Sequence, residues 1–318
     1  AKPNRQLILV PGDDAEDPEL TLASSCAPAT CQLVWQYLRQ GGVSNGINLL
    51  RYLAQELKLL PSQPRWHQWQ PPAELPQALI YQPGVAQASL MDWQKQTITQ
   101  ELQHAPVVGL LFYRSHLQSG NTRMFDGLMA GLVKQGMNPI ALAITSLKDP
   151  QALALVNHTL KQSNTKLVLS SLGFASNKID APGLSSSPTQ FKLPIEGDIP
   201  VLQLVLSSTT NEAWREHKQG LRSRDIAMQV VLPEMDGHVL TRAISFKSMG
   251  YYSKLCQIDL VGYELDPERA QFVARLAKGY CSLGHKANND KRIALILANY
   301  PTKDGRIGNG VGLDTPQS

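Results

Sequence analysis

VVGLLFYRSHLQSGN, residues 107–121, is the stretch that decides the fold. An apolar run, Val107 to Tyr113, breaks into a polar segment carrying Arg114, Ser115 and His116. Gly120 and Asn121 then open an amphipathic helix with Phe125, Leu128, Met129, Leu132 and Val133 on one face. The pattern spells strand, loop and helix, with the reactive side chains at the carboxyl end of the strand. Open parallel sheets bind ligands there, because the loops diverge and helix amino termini supply unpaired N–H groups. From spacing alone, the Arg-Ser-His loop is either a ligand site or a surface loop with a satisfied histidine.

The same alternation continues outward. Strands are predicted at 106–113, 138–145, 166–171 and 200–206, and helices at 122–135, 149–162 and 210–219. Thr209 with Glu212 three residues on reads as a capping box. This predicts an α/β fold of parallel-sheet strand–helix units, Rossmann-like or doubly wound, with an N-terminal helical region. Four regions follow. Residues 1–64 read as a short strand (Leu7 to Val10) and helices, the second with Ile47, Leu50, Leu53 and Leu57 on one face. Residues 65–104 read as a Pro/Gln/Trp connector and a helix, and 105–255 as the parallel-sheet domain. Residues 256–318 read as a helix capped by Asp266 and the start of a second α/β unit. The loop 170–190, rich in Ser, Gly and Pro, reads as a lid or binding loop.

Composition excludes several classes. Hydrophobic content of 42% with 18% charge is ordinary for a globular protein. A net charge of +4 without a Lys/Arg block argues against nucleic acid. The sequence has neither a signal pattern nor an apolar run of membrane-spanning length, so a cytoplasmic location is expected. Cys26, Cys31, Cys256 and Cys281 form no zinc-type pair, and thiols are expected in a reducing compartment. The basic stretch WREHKQGLRSRD (214–225) is either a solvated helix face or an attractor for a small polyanion. The chain lacks an initial Met and stops without a tidy end, which reads as an internal fragment.

Six segments together resemble the cobaltochelatase large subunit, the CobN family. They are the Arg-Ser-His stretch, VPGDDAEDPEL (10–20), ITSLKDP (144–150), PVLQLVLSSTTNEAW (200–214), PEMDGHVLTRAISFK (233–247) and NYPTKDGRIGNGVGLDTPQS (299–318). They occur in the family's order. Arg-Ser-His followed by Gly is also similar to the magnesium chelatase large subunit. The resemblance implies the tetrapyrrole-binding part of an enzyme of cobalamin biosynthesis. Such a ligase inserts Co2+ into hydrogenobyrinate a,c-diamide, with ATP and Mg2+ bound on separate AAA+ partner subunits. The alternatives are a magnesium chelatase subunit acting on protoporphyrin IX, or a non-catalytic α/β module. No nucleotide motif occurs, and DGRIGNGVG (304–312) fits neither a phosphate loop nor G-x-G-x-x-G. The fragment alone is expected to be inactive.

Metal insertion sets the chemistry to look for. Two pyrrole protons must leave, the ion needs transient ligands as it sheds water, and the ring's carboxylates need cations or N–H groups. His116 suits proton acceptance and metal ligation; its other reading is a structural histidine. Glu234 and Asp236 are expected as catalytic carboxylates, sharing one face if Pro233 to Gly237 is extended, with Glu234 also a transient metal ligand. The other reading is an ordinary acidic turn next to His238. Arg114 either grips a carboxylate or fixes its loop. The macrocycle contacts expected are Arg114, Ser115, Gly120, Asn121, Tyr300, Gly305, Arg306 and Asn309. Tyr300 and the Gly-Asn pair after it echo Tyr113 and Gly120-Asn121, so a cleft shared by both units is expected.

Overall fold

The computed structural model describes residues 6–13, 15–56, 68–97, 101–173, 194–294, 296, 308 and 317. The chain divides into a large unit, residues 1–281, and a short one, 282–318. The large unit opens with an extended segment rather than a strand. Leu7 and Leu9 donate their N–H groups to the hydroxyls of Ser25 (2.6 Å) and Ser24 (2.9 Å). Three helices follow: α1 (Pro18–Ala23), α2 (Pro28–Gln40) and α3 (Val43–Glu56). Asp17 caps α1 through the N–H groups of Glu19 and Leu20, with Pro18 preset for the first turn.

The α3 face differs from the one predicted. Ile47 (46% exposed) and Leu50 (66%) point outward, whereas Asn45, Asn48, Leu49 and Tyr52 are buried. The asparagines explain it. Asn45 brackets Ala73, donating to its carbonyl and accepting from its N–H (both 2.9 Å), and Asn48 accepts from the N–H of Gln70. Two backbone-mimicking side chains hold the 68–76 segment against the helix, and Trp69 packs edge-on to Tyr52. Leu57 and Trp66 lie outside the described residues.

The region expected as a connector contributes strands. β1 (Ala78–Gln82) and β2 (Val85–Ala88) form a hairpin, followed by α4 (Leu90–Thr97), whose buried Trp93 donates to the Pro139 carbonyl (2.7 Å). The predicted units then appear in order: β3 (Val107–Tyr113), α5 (Arg114–Gln118), α6 (Arg123–Lys134), β4 (Asn138–Ile144), α7 (Pro150–Gln162), β5 (Thr165–Ser170) and β6 (Val201–Thr210). Next come α8 (Asn211–Glu216), capped by the Thr210 hydroxyl rather than Thr209, and α9 (Ser223–Ile226). A π-helical turn (Ala227–Val231) joins α9 to α10 (Leu232–Met235). β7 (Val239–Ser253), β8 (Ile258–Leu265) and α11 (Pro267–His285) complete the order. Asp266 caps α11 by accepting from Arg269 N–H. The described part of residues 282–318 holds the end of α11 and a 3₁₀ turn at Asn288–Asp290.

One eight-stranded sheet runs β2-β1-β4-β3-β5-β6-β7-β8. β4, β3, β5, β6 and β7 are mutually parallel, as predicted for the first four, and the pairs at both ends are antiparallel. Val108, Leu110, Leu111 and Phe112 of β3 are fully buried because helices cover both faces. α6 and α11 pack on one face, with Phe112, Leu128, Leu204 and Val273 in its core; α7 packs on the other, with Leu111, Val156 and Val168. Burial of each such side chain stabilises the fold by about 1.5–3 kcal/mol. The β7–β8 hairpin was not predicted, and the 255/256 boundary falls in its turn. All four cysteines are free thiols.

Candidate functional site

The order β4-β3-β5-β6-β7 reverses direction between β3 and β5, because the chain first steps to one side of β3 and then to the other. Carboxyl ends of strands diverge at such a reversal and leave a crevice. Here the crevice is bounded by the end of β3 and by Ser170–Gly173 after β5. Gly173 N–H donates to the Tyr113 hydroxyl (3.0 Å), and Ser171 N–H to the Leu111 carbonyl (2.9 Å). A Cβ at Gly173 would lie 3.2 Å from the Met228 carbonyl oxygen, so the π-helical turn closes onto this exit.

The Arg114–His116 segment is helical rather than a loop: α5 occupies Arg114–Gln118. Arg114 Nη1 donates to the carbonyls of Leu75 (2.5 Å) and Pro76 (3.1 Å), which anchors α5 to the segment leading into β1. Gln118 gives its amide protons to the Arg39 and Gln40 carbonyls (both 3.1 Å), satisfying the end of α2. Nη1 of Arg114 is thus bound to backbone. Ser115 is exposed, and Gly120, with φ 68, ends the helix.

His116 stands between two aromatic rings, Phe125 of α6 (5.3 Å between centroids, 80° between planes) and Tyr263 of β8 (5.9 Å, 69°). Burial lowers its pKa to about 4, so the imidazole is neutral at physiological pH. Asn121 N–H donates to the His116 carbonyl (2.7 Å), and its Oδ1 accepts from Tyr263 N–H (3.1 Å). Strand β8 reaches this place by curling over α6. A Cβ at Gly127 would sit 2.7 Å from Leu265 Cδ2, so glycine makes that approach possible.

Sequence reasoning missed Tyr263 and Asp225. The Tyr263 hydroxyl pKa is raised by burial first and by the Asp225 carboxylate next, with Arg224 opposing. Asp225 is buried and accepts from the N–H and hydroxyl of Ser208 (2.8 and 2.9 Å). The period-two spacing of Val261, Tyr263 and Leu265 signals a strand, but nothing in it signals the meeting with His116. Arg222 and Arg224 at the start of α9, with Arg215 and Lys218 before it, are exposed cations, and Arg224 acts electrostatically on the Tyr263 hydroxyl.

Glu234 and Asp236 do not share a face. The backbone is helical to Met235 and ends at Asp236, so residues two apart diverge by about 200°. Glu234 is exposed and Asp236 is 2% exposed. Pro233 accounts for the irregular helix: it cannot donate one turn back, and just before it the Leu232 N–H reaches five residues back, to the Ala227 carbonyl. His238 follows, with Nδ1 2.8 Å from Gln203 Oε1. The Gln203 amide donates to the Leu172 and Leu204 carbonyls, which directs Oε1 at His238 and assigns the proton to Nδ1. His238 Nε2 is buried without a hydrogen-bond partner among the described residues.

Gln203 alternates with Leu202 and Leu204, so His238 lies on the α7 side of the sheet, while His116 lies on the α6 side. Asp225 and Asp236 stand eleven residues apart along one helical stretch, about 16 Å. The structure thus joins His116 with Asn121, Tyr263 and the α9 end, and separates them from Glu234, Asp236 and His238. Tyr300, Gly305, Arg306, Asn309 and the 174–193 part of the expected lid lie outside the described residues. Among the described residues no three His, Cys, Asp or Glu side chains are placed to hold a metal ion. No described helix is long and apolar enough to cross a membrane.

The CobN/Magnesium Chelatase family model matches residues 35–318. The chain belongs to that family. It is 43% identical to the aerobic cobaltochelatase subunit CobN of Pseudomonas aeruginosa over 98% of this chain and 24% of that protein. The corresponding protein of a Sinorhizobium species is 35% identical over the same shares. Magnesium-chelatase subunit ChlH of rice is 25% identical over 66% of this chain and 15% of that one. Among solved structures, the catalytic subunit of cobaltochelatase from Mycobacterium tuberculosis superposes with a TM-score of 0.71 at 28% identity, covering 98% of this chain and 24% of that one. The chain therefore spans about a quarter of the length of its cobaltochelatase relatives.

Proposed function

We propose that this chain is the part of a cobaltochelatase large subunit that meets the tetrapyrrole, and that the macrocycle docks over the β3–β5 crevice with His116 facing its nitrogens. The observation that carries the reading is His116 itself: a neutral imidazole at the carboxyl edge, at a reversal of strand order, with no hydrogen bond to either ring nitrogen among the described residues. Its lone pair is available to a pyrrole proton or to an incoming divalent ion. The exposed arginines of α9 suit the carboxylates of a corrin rim. Arg114 and Asn121 act beneath the site, holding α5 and β8 in place.

The substrate would be hydrogenobyrinate a,c-diamide and the metal Co2+, which enters as substrate. ATP would be hydrolysed on AAA+ partner subunits, and a cytoplasmic location belongs to the same proposal. Identity of 43% to the cobalt enzyme against 25% to the magnesium enzyme favours the corrin over protoporphyrin IX. The test is absorbance titration of the purified chain with metal-free corrin and with protoporphyrin IX. Saturable corrin binding, without metal insertion or ATP hydrolysis by the chain alone, is expected. Absence of binding to either ring would leave a scaffold module, and tighter porphyrin binding would move the assignment to the magnesium branch.

A further inference from the structure

The His116 imidazole has an unusual support. A histidine that moves protons is commonly oriented by a hydrogen bond from its second ring nitrogen, yet here both contacts fixing the ring are aromatic edges. One belongs to Phe125, on the same strand–helix unit. The other belongs to Tyr263, 147 positions along the chain on β8. We propose that Tyr263 is the positioning residue of this site: its ring holds the His116 imidazole at the crevice, and its backbone, through Asn121, holds the turn that carries His116.

Two independent ties support this. The first is ring to ring, at 5.9 Å. The second runs along the backbone: Tyr263 N–H to Asn121 Oδ1 at 3.1 Å, and Asn121 N–H to the His116 carbonyl at 2.7 Å. The packing of Leu265 against Gly127 registers β8 on α6, so Tyr263 cannot slide along the helix without losing that contact. The Asp225 carboxylate and the Arg224 guanidinium also act electrostatically on the Tyr263 hydroxyl. A ring that only filled space would not need its own backbone tied to the partner's turn. The role concerns orientation, so the ring matters and the hydroxyl does not.

The inference rests on the chelatase reading for its kinetic arm only. Histidine ring resonances of the chain, labelled with 13C, report on His116 whatever the function. Expected are one sharp His116 signal in wild type and in Tyr263→Phe, and broadened or doubled signals in Tyr263→Leu. In the complete chelatase, Tyr263→Leu should lower kcat about tenfold to a hundredfold, the effect of a misplaced reacting group, with little change in KM. Tyr263→Phe should recover most of that loss, and Asn121→Ala should reproduce part of it. A sharp, single His116 signal in a folded Tyr263→Leu protein would overturn the positioning role. So would a Tyr263→Phe enzyme as slow as Tyr263→Leu, since the hydroxyl would then take part. Should the ring signals behave as expected while His116→Ala inserts metal normally, the chelatase reading of the crevice fails and the positioning survives.

Discussion

His116 and His238 share a basicity and differ in everything around it. Burial lowers each pKa to about 4, opposed at His238 by the Asp236 carboxylate. His238 is 6% exposed, on the α7 side of the sheet, and locked by Gln203 in one tautomer. His116 is half-buried on the α6 side, clasped by two rings, with its nitrogens unengaged among the described residues. A depressed pKa alone therefore does not mark a reactive histidine. Under the proposed function, what separates the two is whether a ligand can reach the lone pair, and the half-buried His116 at the end of β3 is the one proposed to have that property.

Exchanging each histidine for alanine should break the symmetry most visibly. In the complete enzyme, His116→Ala is expected to slow metal insertion by about 10²–10⁴-fold, the range for loss of a general acid–base group, with a nearly unchanged thermal midpoint. His238→Ala should do the reverse. It leaves Gln203 Oε1 buried without a donor, which costs about 1–3 kcal/mol, read as a lower thermal midpoint with normal insertion per folded molecule. Inverted results would mean that the wrong imidazole has been placed at the chemistry.

Acid should act on both. Each imidazole binds its proton more weakly in the folded chain than in the unfolded one, whose value is near 6.5. Stability is then full above pH about 6.5 and declines as pH falls toward 4. Thermal midpoints measured across that window should fall, and His238→Gln should flatten part of the slope. A midpoint that rises on acidification would contradict the buried, neutral state of these rings.

The smallest effect is expected at Glu234. Exposed on α10 and about 13.5 Å along the helical stretch from Asp225, it should tolerate Glu234→Gln within about 0.5 kcal/mol of stability and with little change in insertion. Strong loss of insertion, with macrocycle binding kept, would restore it as a proton acceptor.

The legible part of this molecule is the part made of continuous apolar runs. β3 to β6 are buried on both faces, so each is built around an apolar run, and their direction follows from the helices between them. The β7–β8 ribbon hid itself because much of it is solvent-exposed, with Met249, Tyr252, Ile258 and Val261 all more than half exposed. On α3, two buried asparagines turned Ile47 and Leu50 of the expected face outward, while Leu53 of that face still packs against the core. Around Glu234, Pro233 and Gly237 resemble the bounds of a turn, and only the π-helical accommodation upstream keeps the chain helical. For the candidate site, the position of Arg114, Ser115 and His116 directly after β3 was readable. Tyr263 reaches His116 through the curl of the sheet, which no local spacing encodes.

The separation of the two histidines can be measured in one experiment. Histidine ring resonances of the chain are followed while metal-free hydrogenobyrinate a,c-diamide is added. The His116 signals are expected to move with saturation and those of His238 to stay in place. Movement of His238 with His116 unchanged, or of neither, would contradict a macrocycle site at the β3–β5 crevice.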